Sequence, residues 1–217
     1  MITLKNSKEI ACMQKSGAIT AAAMMAAKAV IRPGVTTKQI DRAVHAAILE
    51  KGAVPSFLGY GGFPGSACVS VNDEVIHGIP GERVIHEGDL VKIDVGALFE
   101  GFHGDCAATF AVGEVSKEAR QLMDVTRQSF YEGIKFARVG YRVSDISHAV
   151  QAYAESFGYG VVRQFVGHGV GRKLHEDPEV PNFGKPGHGP RLLPGMTIAV
   201  EPMINAGSFD VKVMPDN

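Results

Sequence analysis

Residues 90–110 read LVKIDVGALFEGFHGDCAATF, and this stretch decides the fold. Alternation sends Val91, Ile93 and Val95 to one face and Lys92 and Asp94 to the other, as on a half-buried strand. Glu100-Gly101 marks a turn, and Cys106–Val112 reads as the returning strand. Asp94 and Asp105 lie almost symmetrically about that turn. The hairpin therefore predicts near neighbours on adjacent strands, to within a residue or two of register. Facing carboxylates repel unless positive charge sits between them. A dication is the simplest candidate, and paired carboxylates can bridge two. The plainer reading, a turn-capping or solvent-facing aspartate, suits Asp105 after His-Gly and does not suit Asp94 among Ile and Val.

Working outward, four helical patterns flank such strand-like runs. The first spans Ser7 to Ile31, with Ile10, Met13, Ala21 and Met24 on one side and Pro33-Gly34 stopping it. The second opens on a Thr36-x-x-Gln39 capping box and ends at Gly52. The third begins near Ser116, and the fourth follows Ser144 and stops at Gly158. Further strands are predicted at Cys68–Val71, Val161–Val166, Thr197–Val200 and Val211–Met214. The second and fourth helices look like copies. Gly34, Ile40, Val44 and Gly52 recur as Gly140, Ile146, Val150 and Gly158, each 106 residues later. Any two amphipathic helices share some spacing, but matching start and stop glycines favour duplication. Two halves follow, about 1–112 and 113–217, with a ligand cleft expected at their seam.

Composition narrows the function. The 217 residues carry 22 Lys+Arg against 23 Asp+Glu, a formal net charge of −1. With no basic run, nucleic-acid sequence readout is not expected. Three cysteines without CxxC spacing support neither a disulfide framework nor a thiolate zinc site. The N-terminal segment has no secretory h-region, and the alanine-rich stretch Ala18–Ile31 is too short to span a bilayer. A reduced, cytoplasmic protein is expected.

His168 sits in FVGHGVGR, where flanking glycines let backbone come close to whatever the imidazole binds. Composition leaves structural and liganding roles equally open. His175, in KLHEDPEV, is no zincin histidine, because Glu179 stands where the second histidine belongs and Pro178 opposes a helix. Glu201 ends MTIAVEP, a poor place for a carboxylate in a core. It lies 107 residues after Asp94 and so looks like its second-half equivalent. His77, in VNDEVIHGIP, reads as a turn histidine.

The strings VNDEVIHGIP, KIDVGALFEGFHGDCAATF, GHGVGRKLHEDP and LLPGMTIAVEPMINAG resemble, in order and spacing, the bacterial type I methionine aminopeptidases. The resemblance implies an α+β pita-bread fold in one catalytic domain, 1–217, with two pseudo-symmetric ααβ halves around a central antiparallel sheet. It implies removal of the initiator methionine from nascent polypeptides with a small second residue. Asp94, Asp105, His168 and Glu201 would ligate two divalent ions, Co²⁺, Mn²⁺, Fe²⁺ or Zn²⁺, as the oxygen-rich set suits. Glu201 would handle the proton of the attacking water, His175 would stabilise the tetrahedral intermediate, and His77 would contact the substrate backbone. Phe57, Tyr60, Phe63, Cys68 and Leu174 would line the methionine pocket, with Leu174 standing where many relatives have an aromatic residue. The implied partners are nascent N-termini, with the ribosome as a candidate place of action and a monomer as the working state.

The sequence departs from that pattern at its end. The family carries a fifth ligand, a bridging glutamate on a later strand. After Glu201 only Asp210 and Asp216 are acidic. A fragment, a naturally shortened enzyme and a non-catalytic module binding nascent chains or the ribosome all fit, and the intact remainder of the ligand set favours the fragment. The last strands of the sheet are then expected to be missing, two-ion binding weak and the chain less stable than a complete relative. A proline-directed peptidase of the same fold is a further alternative.

Overall fold

The computed structural model describes residues 1–215 and contains two compact units. Asp216 lies outside the described residues. No helix among the described residues is long and apolar enough to cross a membrane.

One unit is built from Ser7–Ser116 together with Gly171–Leu174. Its helices are α1 (Ser7–Val30) and α2 (Thr37–Glu50), and its strands are β1 (Val54–Pro55), β2 (Ala67–Val71), β3 (Leu90–Phe99) and β4 (Phe102–Ala111). All pairings are antiparallel: β1 and β2 share one edge of β3 and β4 takes the other. Alternation along β3 works as expected, with Val91, Ile93 and Val95 buried beside Val69 and Val71 of β2. Ile40, Val44 and Ile48 of α2 and Ala23, Met24 and Ala27 of α1 complete that core. The capping box forms, with Gln39 N donating to Thr36 Oγ1 and Thr36 N to Gln39 Oε1.

The face of α1 differs from expectation. Ala21 is exposed, and the buried stripe runs Ser16, Thr20, Ala23, Met24 and Ala27. Two hydroxyls lie inside it because both are satisfied: Ser16 Oγ donates to Ala97 O (2.7 Å) and Thr20 Oγ1 to Ser16 O (2.9 Å). Small residues let α1 approach β4 closely. A Cβ on Gly104 would stand 2.6 Å from Thr20 Oγ1 and 2.8 Å from Gly17 N. Because backbone is what the new methyl meets, Gly104→Ala is expected to destabilise by about 1–3 kcal/mol, read as a lower urea midpoint at unchanged slope.

The second unit comprises Met1–Asn6, Lys117–Val170 and His175–Val213. It holds α3 (Lys117–Ile134), α4 (Val143–Glu155), β5 (Gly160–Val161), β6 (Gly167–Gly169), β7 (Glu176–Val180) and β8 (Ile204–Asn205). Here β5 pairs β8 and β6 pairs β7 in two small antiparallel sheets. Helix α4 starts before Ser144 rather than after it, because Asp145 Oδ2 accepts from Arg142 N (2.7 Å) and caps the turn two residues earlier. Three expected strands shrink. Val161–Val166 keeps only its first residue in β5. Thr197–Val200 forms a broken ladder, with Val170 N donating to Thr197 O and Ala199 N to His168 O around a bulge at His168/Gly169. Val211–Met214 forms no strand, and the approach to it is a turn in which Asn205 Nδ2 donates to Ser208 O.

The helix-to-loop hydrogen bonds of one unit recur in the other. In the first, Thr37 N donates to Arg83 O, Lys38 N to Gly81 O and Ile85 N to Val35 O. In the second, Val143 N donates to Pro190 O, Ser144 N to His188 O and Leu192 N to Tyr141 O. Helix-side partners differ by 106 (37 to 143) and loop-side partners by 107 (83 to 190). The strand registers obey the same rule, since Val54↔Leu98 recurs as Gly160↔Asn205. Gly34 and Gly140 (φ 88° and 102°) open the repeated helices, and Gly52 and Gly158 (φ 69° and 80°) close them. Left-handed backbone at four matched positions is costly for other residues, which is why these glycines carried the repeat in the sequence.

Candidate functional site

In the first unit the β3–β4 register sets Asp94 opposite Ala107 and Asp105 opposite Gly96. These four positions share the face turned away from the helices. The aspartates are therefore diagonal neighbours, close enough for both side chains to reach one charge. Cys68 lies opposite Asp94 on β2. Burial first, then the charges of Asp94 and Asp105, push the thiols of Cys68 and Cys106 up. Both cysteines stay neutral near pH 7, so Cys68 offers an apolar wall rather than a nucleophile.

Phe57, Cys68 and Leu174 form a small buried cluster, with Phe63 half-buried against it. Gly96 makes room for it, because a Cβ there would lie 2.7 Å from Phe57 Cε1 and from Ser56 Cβ. His103 Nδ1 meets Ser56 Oγ at 2.8 Å and fixes the bend after β1 that carries Phe57, a support that no motif announced. Tyr60, on a short 3₁₀ turn, is half exposed and stands outside the cluster.

His77 occupies left-handed backbone (φ 59°) at the surface. The next residue holds it there: Gly78 N donates to Ser70 Oγ (2.9 Å), Val69 N donates to Gly78 O (2.8 Å), and a Cβ on Gly78 would strike Val69 O at 2.5 Å. Partial burial of the ring lowers the His77 pKa below 6.5. Neutral His77 therefore favours the folded chain above pH 6.5, and that contribution is lost as pH falls through the folded value. In an NMR pH series, the His77 ring resonances are expected to titrate below 6.5.

In the second unit β6 carries His168 between Gly167 and Gly169. Packing alone requires these glycines. A Cβ on Gly167 would lie 2.3 Å from Ala199 O, and one on Gly169 2.2 Å from Asp177 O. His168 Nδ1 lies 2.8 Å from Gly169 O and Nε2 3.2 Å from Glu201 Oε1. The Gly169 carbonyl can only accept, so Nδ1 carries a proton. Nε2 then faces a carboxylate oxygen, and two lone pairs at that distance call for a proton or a cation between or beside them. An imidazole whose Nδ1–H is anchored on a carbonyl is the usual arrangement of a metal-ligating histidine. The His175 ring packs edge-on to His168, with centroids 4.2 Å apart. Fully buried Asn182 donates from Nδ2 to Glu201 O (2.7 Å), fixing the backbone under the carboxylate, a second support missed in the sequence.

Glu201 occupies the slot of Asp94 under the 107-residue relation of the repeat. Asp210 is exposed and turned to Ser208, whose Oγ donates to its Oδ2 (2.7 Å). Among the described residues no group of three or more His, Cys, Asp or Glu side chains forms a ready metal cage. Two of the four expected ligands belong to each unit. In each unit taken by itself, two same-face carboxylates in the first and an anchored imidazole facing a carboxylate in the second, the donor chemistry fits hard divalent cations.

The profile of metallopeptidase family M24 matches residues 11–213. A methionine aminopeptidase of Clostridium acetobutylicum is 51% identical over 218 residues, covering 100% of this chain and 87% of the relative. The crystal structure of a Thermotoga maritima methionine aminopeptidase superposes with a TM-score of 0.98 at 44% identity, covering 100% of this chain and 87% of that one. A prolidase from Pyrococcus furiosus gives 0.80 at 25% identity, and this chain covers only 57% of its length.

Proposed function

The chain belongs to metallopeptidase family M24, and on that premise we propose that it removes the initiator methionine from polypeptides whose second residue is small. It is an aminopeptidase with the pita-bread fold. The two units make one catalytic domain in this reading. Asp94, Asp105, His168 and Glu201 would hold two divalent ions, of Co, Mn, Fe or Zn. Such ions would supply Lewis acidity, polarising a carbonyl and easing loss of a proton from water. Glu201 takes the proton of the attacking water and returns it toward the leaving amine. His175 donates a hydrogen bond to the oxygen that becomes negative, while His77 orients the scissile nitrogen. Phe57, Phe63, Cys68 and Leu174, with Tyr60 at the exposed rim, seat the methionine side chain. The substrates are nascent N-termini met at the ribosome, and the working form is a cytoplasmic monomer.

The observation that carries the reading is the pair Asp94 and Asp105 on one sheet face, with the Phe57–Cys68–Leu174 cluster reaching that face at Cys68. Hydrolysis of Met-Ala-x against x-Pro peptides, with and without added Mn²⁺ or Co²⁺, tests it. Metal-dependent cleavage of Met-Ala-x alone is expected; cleavage of x-Pro alone would replace the reading with a proline-directed one.

A further inference from the structure

Lysine is almost never fully buried unless paired, yet the Lys5 side chain is 2% exposed. Its Nζ meets Glu176 Oε2 at 2.5 Å, with the Glu176 side chain 9% exposed. Lys5 is also pinned by its backbone. Lys5 N donates to Gly195 O (2.7 Å), and a Cβ on Gly195 would come 2.6 Å from Lys5 O. Burying two charges costs about as much as their attraction returns, so the pair is a poor source of stability. What it does supply is a fixed distance.

That distance bears on His175. Along β7 the side chains of Glu176, Pro178 and Val180 turn inward while Asp177 and Glu179 face out. His175, one residue before the strand, continues the outward set and is exposed. Its ring position against His168 thus depends on where the backbone of residue 176 is held. Lys5 holds it there through Glu176. Through Gly195, Lys5 also grips the turn that leads into the run ending at Glu201. Thr197 Oγ1 donates to Val170 O in that run, and Ala199 N to His168 O.

We propose that the buried Lys5–Glu176 ion pair is a positioning device for His175, setting the imidazole against His168 from the opposite side of β7. The proposal rests on the role given to His175 above, and its first readout does not need catalysis. In the full chain with labelled histidines, the cross-peak between the His168 and His175 rings is compared among variants. Replacing both charges by apolar groups, Lys5→Met with Glu176→Leu, is expected to leave the melting temperature near the parent's and to abolish the cross-peak. Lys5→Arg, which keeps the pair, is expected to retain it. On Met-Ala-x peptide the apolar pair is expected to lower kcat roughly 10- to 100-fold with KM little changed, the signature of a misplaced group. If the apolar pair does not fold, Glu176→Asp, which shortens the tether by one methylene, is expected to weaken the same cross-peak. A retained cross-peak with kcat unchanged overturns the proposal, as does its loss in Lys5→Arg. Loss of the cross-peak in a family of chains that never cleaves Met-Ala-x upholds the positioning and overturns only the catalytic reading.

Discussion

Asp94→Ala is expected to lower kcat/KM on Met-Ala-x by about 10³-fold or more. Lewis-acid stabilisation is worth several kcal/mol, and each 1.36 kcal/mol is tenfold in rate. The residue stands on the central strand of its sheet, diagonal to Asp105, so its loss halves the carboxylate charge that this face presents to a cation. Unfolding of the metal-free chain separates ligand from structural roles. Asp94→Ala is expected to stay within about 1 kcal/mol of the parent there, because one member of a like-charged cross-strand pair has been removed. With Mn²⁺ added, the parent is expected to gain stability by mass action and the variant to gain little. Equal metal-induced shifts in both chains would remove Asp94 from the ligand set.

His175→Ala has the second largest expected effect, and a different form. A hydrogen bond made to an oxygen only as it becomes negative acts on the transition state, and its removal costs about 10²- to 10³-fold in kcat. Ground-state binding of the methionine side chain sits elsewhere, on the Phe57–Cys68–Leu174 cluster, so KM is expected to move little. Metal uptake, followed by calorimetry, is expected to be unchanged, which distinguishes His175 from its neighbour His168. A variant that loses metal as well would make His175 a ligand or a support of one.

The first unit was legible because its physics is local. Alternation from Val91 to Val95, a two-residue turn and a capping box each dictate conformation within a few positions. The repeat was legible for a related reason: Gly34, Gly52, Gly140 and Gly158 sit where only left-handed backbone serves. The second unit was read less well. Its β-like runs carry the right side chains, but a bulge at His168/Gly169 and side-chain bonds at Asn205 replace the ladder, and neither leaves a periodic signal. Ser16 and Thr20 hid the buried stripe of α1, since hydroxyls score as surface until their acceptors are known. Asn182, His103 and Lys5 act on partners far along the chain, and only the fold introduces them.

One consequence of the repeat concerns direction. Under the 106-residue relation, the counterpart of Phe57 is Arg163, whose guanidinium lies 4.1 Å over the Phe209 ring and 5.4 Å over Phe183. A duplicated gene begins as two interchangeable halves, and a symmetric enzyme would have no reason to grip a peptide by one end. Here the two copies kept their helix-to-loop main-chain bonds, yet this position is greasy in one and cationic in the other. Divergence of that kind gives an ancestral palindrome a front and a back.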